Sequence, residues 1–130
     1  MKDSYVLDTM ALILYLEKRK LSDYVKSIFK DAESKILDLY IPTMVLAEIG
    51  YLSEKKRIDT TLKHVSDYCR CQECVQYAPI SSDIIYKSFE IDDIPELHDR
   101  IIAGTAYTLK TRLITNDSMI QLSQFVSTIW

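Results

Sequence analysis

The chain sets short apolar runs against longer stretches with helical periodicity. Ser4-Tyr5-Val6-Leu7 is a strand-like run closed by Asp8, and Met10 to Leu16 follows it as a helix. Leu39-Tyr40-Ile41 repeats the pattern, with Pro42-Thr43 as a helix start and Met44 to Leu52 as the helix. Val75 to Ile80, Leu113 to Thr115 and an edge segment, Phe125 to Ile129, read as further strands; Ser82 to Glu90 and Asp99 to Lys110 read as helices. Strands alternating with helices at this spacing form parallel βαβ units. The expected fold is therefore α/β, a mainly parallel sheet with helices on both faces.

Nothing divides this pattern into parts. There is no repeat, low-complexity tract or Pro/Ser-rich linker, Gly50 and Gly104 are the only glycines, and 130 residues fit one domain spanning 1–130. The composition, 48% hydrophobic and 27% charged, is that of a globular chain and excludes a disordered or fibrous one. Lys2 is the only basic residue before the first apolar run, which is short and closed by Asp8, so neither a signal-peptide layout nor a membrane-spanning apolar stretch is expected. A cytoplasmic protein with no membrane partner is expected. A net charge of −3 excludes a nucleic-acid binder that works by a broad basic surface. Two local basic runs, Lys18-Arg19-Lys20 and Lys55-Lys56-Arg57, read as solvated helix ends. Cys69, Cys71 and Cys74, an odd number within six residues, suit reduced thiols; a zinc site would need a fourth ligand, and His64 is the only histidine nearby.

The chemistry is carried by acids. In open parallel sheets, ligands bind beyond the carboxyl ends of the strands. Asp8 directly follows the first predicted strand, Asp117 follows the fourth by one residue, and Asp99 stands at a helix start facing the same edge. Each aspartate taken singly is explained as a helix N-cap. Glu48 is not, because it lies inside a helix, about 60° from the centre of the Val45, Ile49, Leu52 stripe at 100° per residue. Ile102, Ala103 and Ala106 put Asp99 on the packed face of its helix, and small Ala103, Gly104 and Ala106 are expected to let that helix lie close to the sheet. Four carboxylates on one rim repel at about 3 kcal/mol per pair, for roughly 5 Å and an effective dielectric near 20. Some must be protonated, or a hard divalent cation must sit among them. With His98 the only nitrogen donor nearby, magnesium or manganese is favoured over zinc. Such a cation suits phosphoryl chemistry.

The residues resemble a known family at this point. "YVLDTMALI" (Tyr5 to Ile13), "IPTMVLAEI" (Ile41 to Ile49), "DRIIAGTA" (Asp99 to Ala106) and "LITND" (Leu113 to Asp117) are similar, in order and spacing, to the four signatures of PIN-domain ribonucleases, particularly VapC-type toxins of toxin–antitoxin pairs. The resemblance implies a three-layer α/β/α sandwich and an endoribonuclease dependent on Mg2+ or Mn2+. It implies that Asp8, Glu48, Asp99 and Asp117 are catalytic and metal-binding, with Thr9, Thr115 and Asn116 in support. It further implies an RNA substrate, a homodimer and an antitoxin partner. Met10 departs from the pattern, since many members carry a small polar residue there, and residues 54 to 80 match nothing diagnostic. Arg100, Lys110 and Arg112 are candidates for contact with the RNA backbone, and His98 for a proton relay or a local helix-start hydrogen bond.

Two other functions fit an acid after the first strand. An aspartate phosphotransferase or receiver-type domain would use Asp8 as a phosphate acceptor, and a PIN-like protein-binding module would keep the fold without the chemistry.

Overall fold

The structure is a computed structural model that describes residues 2–130. Its centre is β1 (Ser4–Leu7), fully buried over Val6 and Leu7 and paired along both edges. On one side β1 pairs in parallel with β2 (Asp38–Pro42), Val6 opposite Tyr40, and β2 pairs with β3 (Val75–Ala78). On the other it pairs with β4 (Arg112–Ile114), Leu7 opposite Ile114, and β4 pairs with β5 (Thr128–Ile129). The order is β3-β2-β1-β4-β5 with every pair parallel, so the chain leaves β1 toward one edge and later returns to its other side. That reversal makes the crevice between the carboxyl ends of β1 and β4 the place where a ligand fits.

Parallel strands covered on both faces must be apolar throughout, and Leu7, Leu39, Ile41, Leu113 and Ile114 are all fully buried. The helices are α1 (Thr9–Leu16), α2 (Asp23–Glu33), α3 (Thr43–Glu54), α4 (Leu62–Cys71), α5 (Ser82–Ser88), α6 (Leu97–Leu109) and α7 (Ser118–Gln121). Together with the sheet they form the three-layer α/β/α sandwich expected. Among the described residues no helix is long and apolar enough to cross a membrane.

Besides the one-turn α7, two longer helices lie outside those expected. α2 is capped by Ser22, whose hydroxyl accepts from the Val25 N–H, and it buries Val25, Ile28, Phe29 and Ala32 along one stripe. α4 starts at Thr61 in a reciprocal cap with His64, whose Nδ1 accepts from the Thr61 N–H, and carries Cys69 and Cys71 in its last turn. Cys74, just before β3, is buried and Cys71 exposed; all three are free thiols. Tyr15 stacks on Phe29 with ring centroids 3.9 Å apart. The hydroxyls of Tyr15 and Tyr68 both donate to Glu33 Oε2, at 2.8 and 2.7 Å, tying α1, α2 and α4 together. Burial, then the Glu33 carboxylate, pushes both phenols above the usual tyrosine range, so they remain donors.

Gly104 corrects one expectation. Ala103 and Ala106 are buried in the core, but the space a Cβ at Gly104 would need is taken by α5: Ser88 Oγ would lie at 1.9 Å, its Cβ at 2.8 Å and its Cα at 2.9 Å. The glycine serves the approach of α6 to α5 and not to the sheet. Gly104→Ala should therefore destabilise the fold by about 1–3 kcal/mol through overpacking. Ser88→Gly in the same chain should recover part of that loss, and chemical denaturation of the two variants measures both.

Candidate active site

The carboxylates are placed by the ends of β1 and β4 and by α3 and α6. Asp8 follows β1 directly; its N–H donates to the Ile114 carbonyl at 3.1 Å, extending the β1–β4 ladder one residue beyond the strand. Its side chain then turns back to cap α1, with Oδ1 accepting from the Ala11 N–H at 2.8 Å, and only 7% of the residue is exposed. Asp117 caps α7 in the same manner through the Ile120 N–H at 3.0 Å, while its own N–H donates to Thr115 Oγ1 at 3.1 Å. Capping and site placement are the same event at these two positions, because the cap fixes the carboxylate at the sheet edge.

Asp99 differs from the helix-start position assigned from the sequence. It is the third residue of α6, whose cap is Glu96; the Glu96 carboxylate accepts from the Asp99 N–H at 2.9 Å and the His98 N–H at 3.1 Å. The Asp99 side chain is thereby released from capping and half-buried at the cleft. Glu48 also turns inward as expected. Its Oε1 accepts from Thr9 Oγ1 at 2.7 Å, and its Oε2 lies 3.9 Å from His98 Nδ1.

Asp8, Glu48, Asp99 and Asp117 line one cleft of about 170 Å³, with Thr9 and Asn116 beside them and Met10, Leu52, Ile102 and Ile120 as apolar wall. Thr115 is fully buried beneath; its hydroxyl accepts from the Asp117 backbone N–H and favours the ionised form of Asp8. The four acids and three supporting residues expected from the sequence are thus brought together. Glu96 was missed as the fifth acid; the Glu-x-x-Asp spacing ahead of the apolar run was the available signal. Arg100, Lys110 and Arg112 are not brought in. Arg100 Nε donates to the Ile94 carbonyl, Arg112 lies over the Tyr5 ring, and Lys110 follows the far end of α6.

The electrostatics follow from this crowding. Burial pushes the Asp8 carboxyl from 3.8 up to about 6; the Thr115 and Ala11 hydrogen bonds oppose the rise, and the Asp117 and Glu48 charges add to it. Asp99 is likewise pushed up to about 6, first by burial and then by Asp117, Glu96, Glu48 and Asp8. A divalent cation would need oxygen donors in reach of one another. The donor set fits a hard ion in kind, being four carboxylates with hydroxyl support and no thiolate. Among the described residues no three acidic, histidine or cysteine side chains yet stand in ligating range of one point, so the acids share a cleft but not a formed cage.

The family model of the PIN domain matches residues 5–123, and the chain belongs to that family. No match is found among curated proteins. Solved structures with the same fold include VapBC2 from Rickettsia felis bound to a DNA fragment from its promoter, with a TM-score of 0.72 at 18% identity over 98% of each chain. DNA-bound VapBC from Salmonella typhimurium follows at 0.70 and 15%, covering 99% of this chain and 98% of that one. A toxin–antitoxin complex from Klebsiella pneumoniae stands at 0.66 and 17%, covering 97% and 96%.

Raised carboxyl pKa values make the site a burden on the fold when ionised. In divalent-free buffer well below pH 3.8, Asp8 and Asp99 are protonated folded or unfolded and carry no penalty; as pH rises from there to about 6 the unfolded chain ionises both while the folded protein holds its protons, so stability falls across that window and levels off above it. Asp8 alone accounts for a loss of order 3 kcal/mol, at about 1.4 kcal/mol per unit. Asp8→Asn keeps the cap, since asparagine caps equally well. Its melting temperature should exceed that of the unmodified protein at pH 7, and the difference should shrink steadily as pH is lowered from about 6 toward 4, in scans with chelator present.

Proposed function

We propose that the protein is a Mg2+- or Mn2+-dependent endoribonuclease and the toxin of a toxin–antitoxin pair. The observation that carries this reading is the meeting of Asp8, Glu48, Asp99 and Asp117 in one cleft at the point where the strand order reverses. Membership of the PIN family supports nuclease chemistry. The structures sharing its fold are themselves toxin–antitoxin assemblies, which supports an antitoxin partner for this chain. A homodimer and cytoplasmic RNA substrates belong to the same proposal.

In this mechanism Asp8, Glu48 and Asp99 would hold the cation and Asp117 would complete or orient that set. The bound cation would supply Lewis-acid stabilisation of phosphoryl charge and activation of water. The chain's own part is positioning. Asp8 is fixed by the Ala11 N–H and Asp117 by the Ile120 N–H, so neither must be ordered when substrate arrives. Thr9 holds one Glu48 oxygen and leaves the other facing His98. His98 is half-exposed and within reach of Glu48 and Glu96, a placement that allows it to pass a proton to solvent. The apolar wall of Met10, Ile102 and Ile120 limits water in the cleft.

The receiver-type reading has less support, because Asp8 is nearly inaccessible and one of its oxygens is already bonded to Ala11. A binding module without chemistry would retain the penalty of the clustered acids for no return.

Incubated with a mixed RNA pool and millimolar Mg2+ or Mn2+, the purified protein should cleave, and chelator should stop it. Asp8→Asn and Glu48→Gln should each lower the rate at least about 100-fold, the loss usual for removing a group that acts on transition-state charge. Mapped ends unchanged by chelator, or full activity in Asp8→Asn, would refute the assignment.

A further inference from the structure

The two basic runs noted in the sequence are 37 positions apart, counted from Lys18 to Lys55, yet the fold joins them. Lys18-Arg19-Lys20 follows α1, and Lys55-Lys56-Arg57 follows α3. The clasp between them is Glu17, whose Oε2 accepts from the Asp59 N–H at 3.1 Å, the Thr60 N–H at 2.9 Å and Thr60 Oγ1 at 2.7 Å. Arg19, Lys56 and Arg57 consequently line one shallow cleft, with Glu17 and Asp59 the acids in it. Lys18, Arg19, Lys26 and Lys30 line the adjoining one, of about 370 Å³, over Tyr15, Leu16 and Leu21, with no acid among them. All six cations are exposed. Apart from Arg19, which pairs with Glu17 at 3.4 Å, none of the six is ion-paired among the described residues.

We propose that these joined turns bind the phosphate backbone of single-stranded RNA flanking the bond at the acid cleft. The inference rests on the ribonuclease reading and says where that enzyme finds its affinity. A phosphate strand is repelled by four carboxylates and by a chain of net charge −3, so attraction has to come from a local positive surface within reach. This surface is joined to the acid cleft along α3. Leu52 lines the acids, and its carbonyl accepts from the Arg57 N–H at 3.0 Å. From Glu48 to Lys55 along α3 the rise is about 10 Å, and the eight residues of α1 rise about 12 Å. Lys18 and Lys56 both stand in the left-handed backbone region, at φ 55 and 58, as Lys35 and Lys110 do after α2 and α6, so glycine suits each of these positions. In the cleft beside the end of α6, Lys87 is engaged with Glu90 and Tyr107 and Arg112 with Tyr5, which leaves Lys110 as the one cation there without a partner among the described residues.

The test is binding of a labelled single-stranded RNA in chelator, where no cleavage occurs, over a range of salt. The variant carries Lys18→Gly, Lys56→Gly, Lys26→Gln and Lys30→Gln; the two glycines suit their backbone, so folding is preserved, as its melting temperature will show. A control carries Lys87→Gln and Lys110→Gly. The unmodified protein should bind with a clear salt dependence, and the fourfold variant should bind at least tenfold more weakly. Its plot of log affinity against log salt should be shallower by about 3, at roughly 0.7 per phosphate contact on a single strand. The control should keep most of the affinity. The placement is overturned if the fourfold variant binds like the unmodified protein, if the control loses as much, or if no salt-dependent binding exists. Loss of poly-glutamate binding with RNA binding intact would overturn it too, making the patch a protein-docking surface. Failure of the ribonuclease reading is distinguishable: salt-dependent binding would still fall in the variant, while Mg2+ would produce no cleavage.

Discussion

Like charges forced together at the carboxyl edge of a buried sheet are the constraint around which this molecule is arranged. Val6, Leu7, Leu113 and Ile114 are among the least accessible residues in the protein, and their packing fixes β1 beside β4. Once those strands are adjacent, Asp8 and Asp117 have no freedom to separate, because each is bonded to the helix that leaves its strand. Glu48 and Asp99 approach from α3 and α6. Burial at that edge, and after it the neighbouring charges, raises two of the carboxyl pKa values to about 6, within reach of physiological titration. Core packing thereby holds a charge distribution that the charges themselves oppose, which is the general condition for a functional site that detracts from stability.

The small side chains around the acids have matching duties. Thr115 is fully buried and serves Asp8 and Asp117 together; Thr9 serves Glu48. Glu96 takes over the capping of α6 and so frees Asp99 for the cleft. The Thr9 hydroxyl holds one Glu48 oxygen, and the Thr115 hydroxyl holds the Asp117 backbone N–H. The fold shared with toxin–antitoxin complexes at 15–18% identity shows how little sequence this framework needs. Few positions are chemically committed, and the rest need only be apolar on the correct side.

Much of this was legible in the sequence because parallel strands buried on both faces read as unbroken apolar runs. β1, β2 and β4 lie within a residue of where their runs place them, and β5 is at the sheet edge, though shorter than Phe125 to Ile129. The four acids were legible through position, as strand-end aspartates and one inward-turned glutamate. α2 and α4 were overlooked although Ser22 and Thr61 are ordinary capping residues, since both lie in polar stretches where a sparse apolar stripe is easily passed over. The role of Gly104 was misassigned because a small residue reveals that something comes close, not which neighbour it is. The joining of the two basic runs was beyond sequence reasoning, depending as it does on Glu17 reaching the backbone of Asp59 and Thr60.

The central claim is that the acids form one cation site rather than four independent caps. Titration of Mn2+ followed by electron paramagnetic resonance, which reads the free ion directly, tests it without reference to any substrate. The unmodified protein should take up Mn2+, and Glu48→Gln should weaken uptake by about tenfold or more although Glu48 caps no helix. Equal uptake by Glu48→Gln and the unmodified protein, or no uptake by either at millimolar ion, would contradict the account.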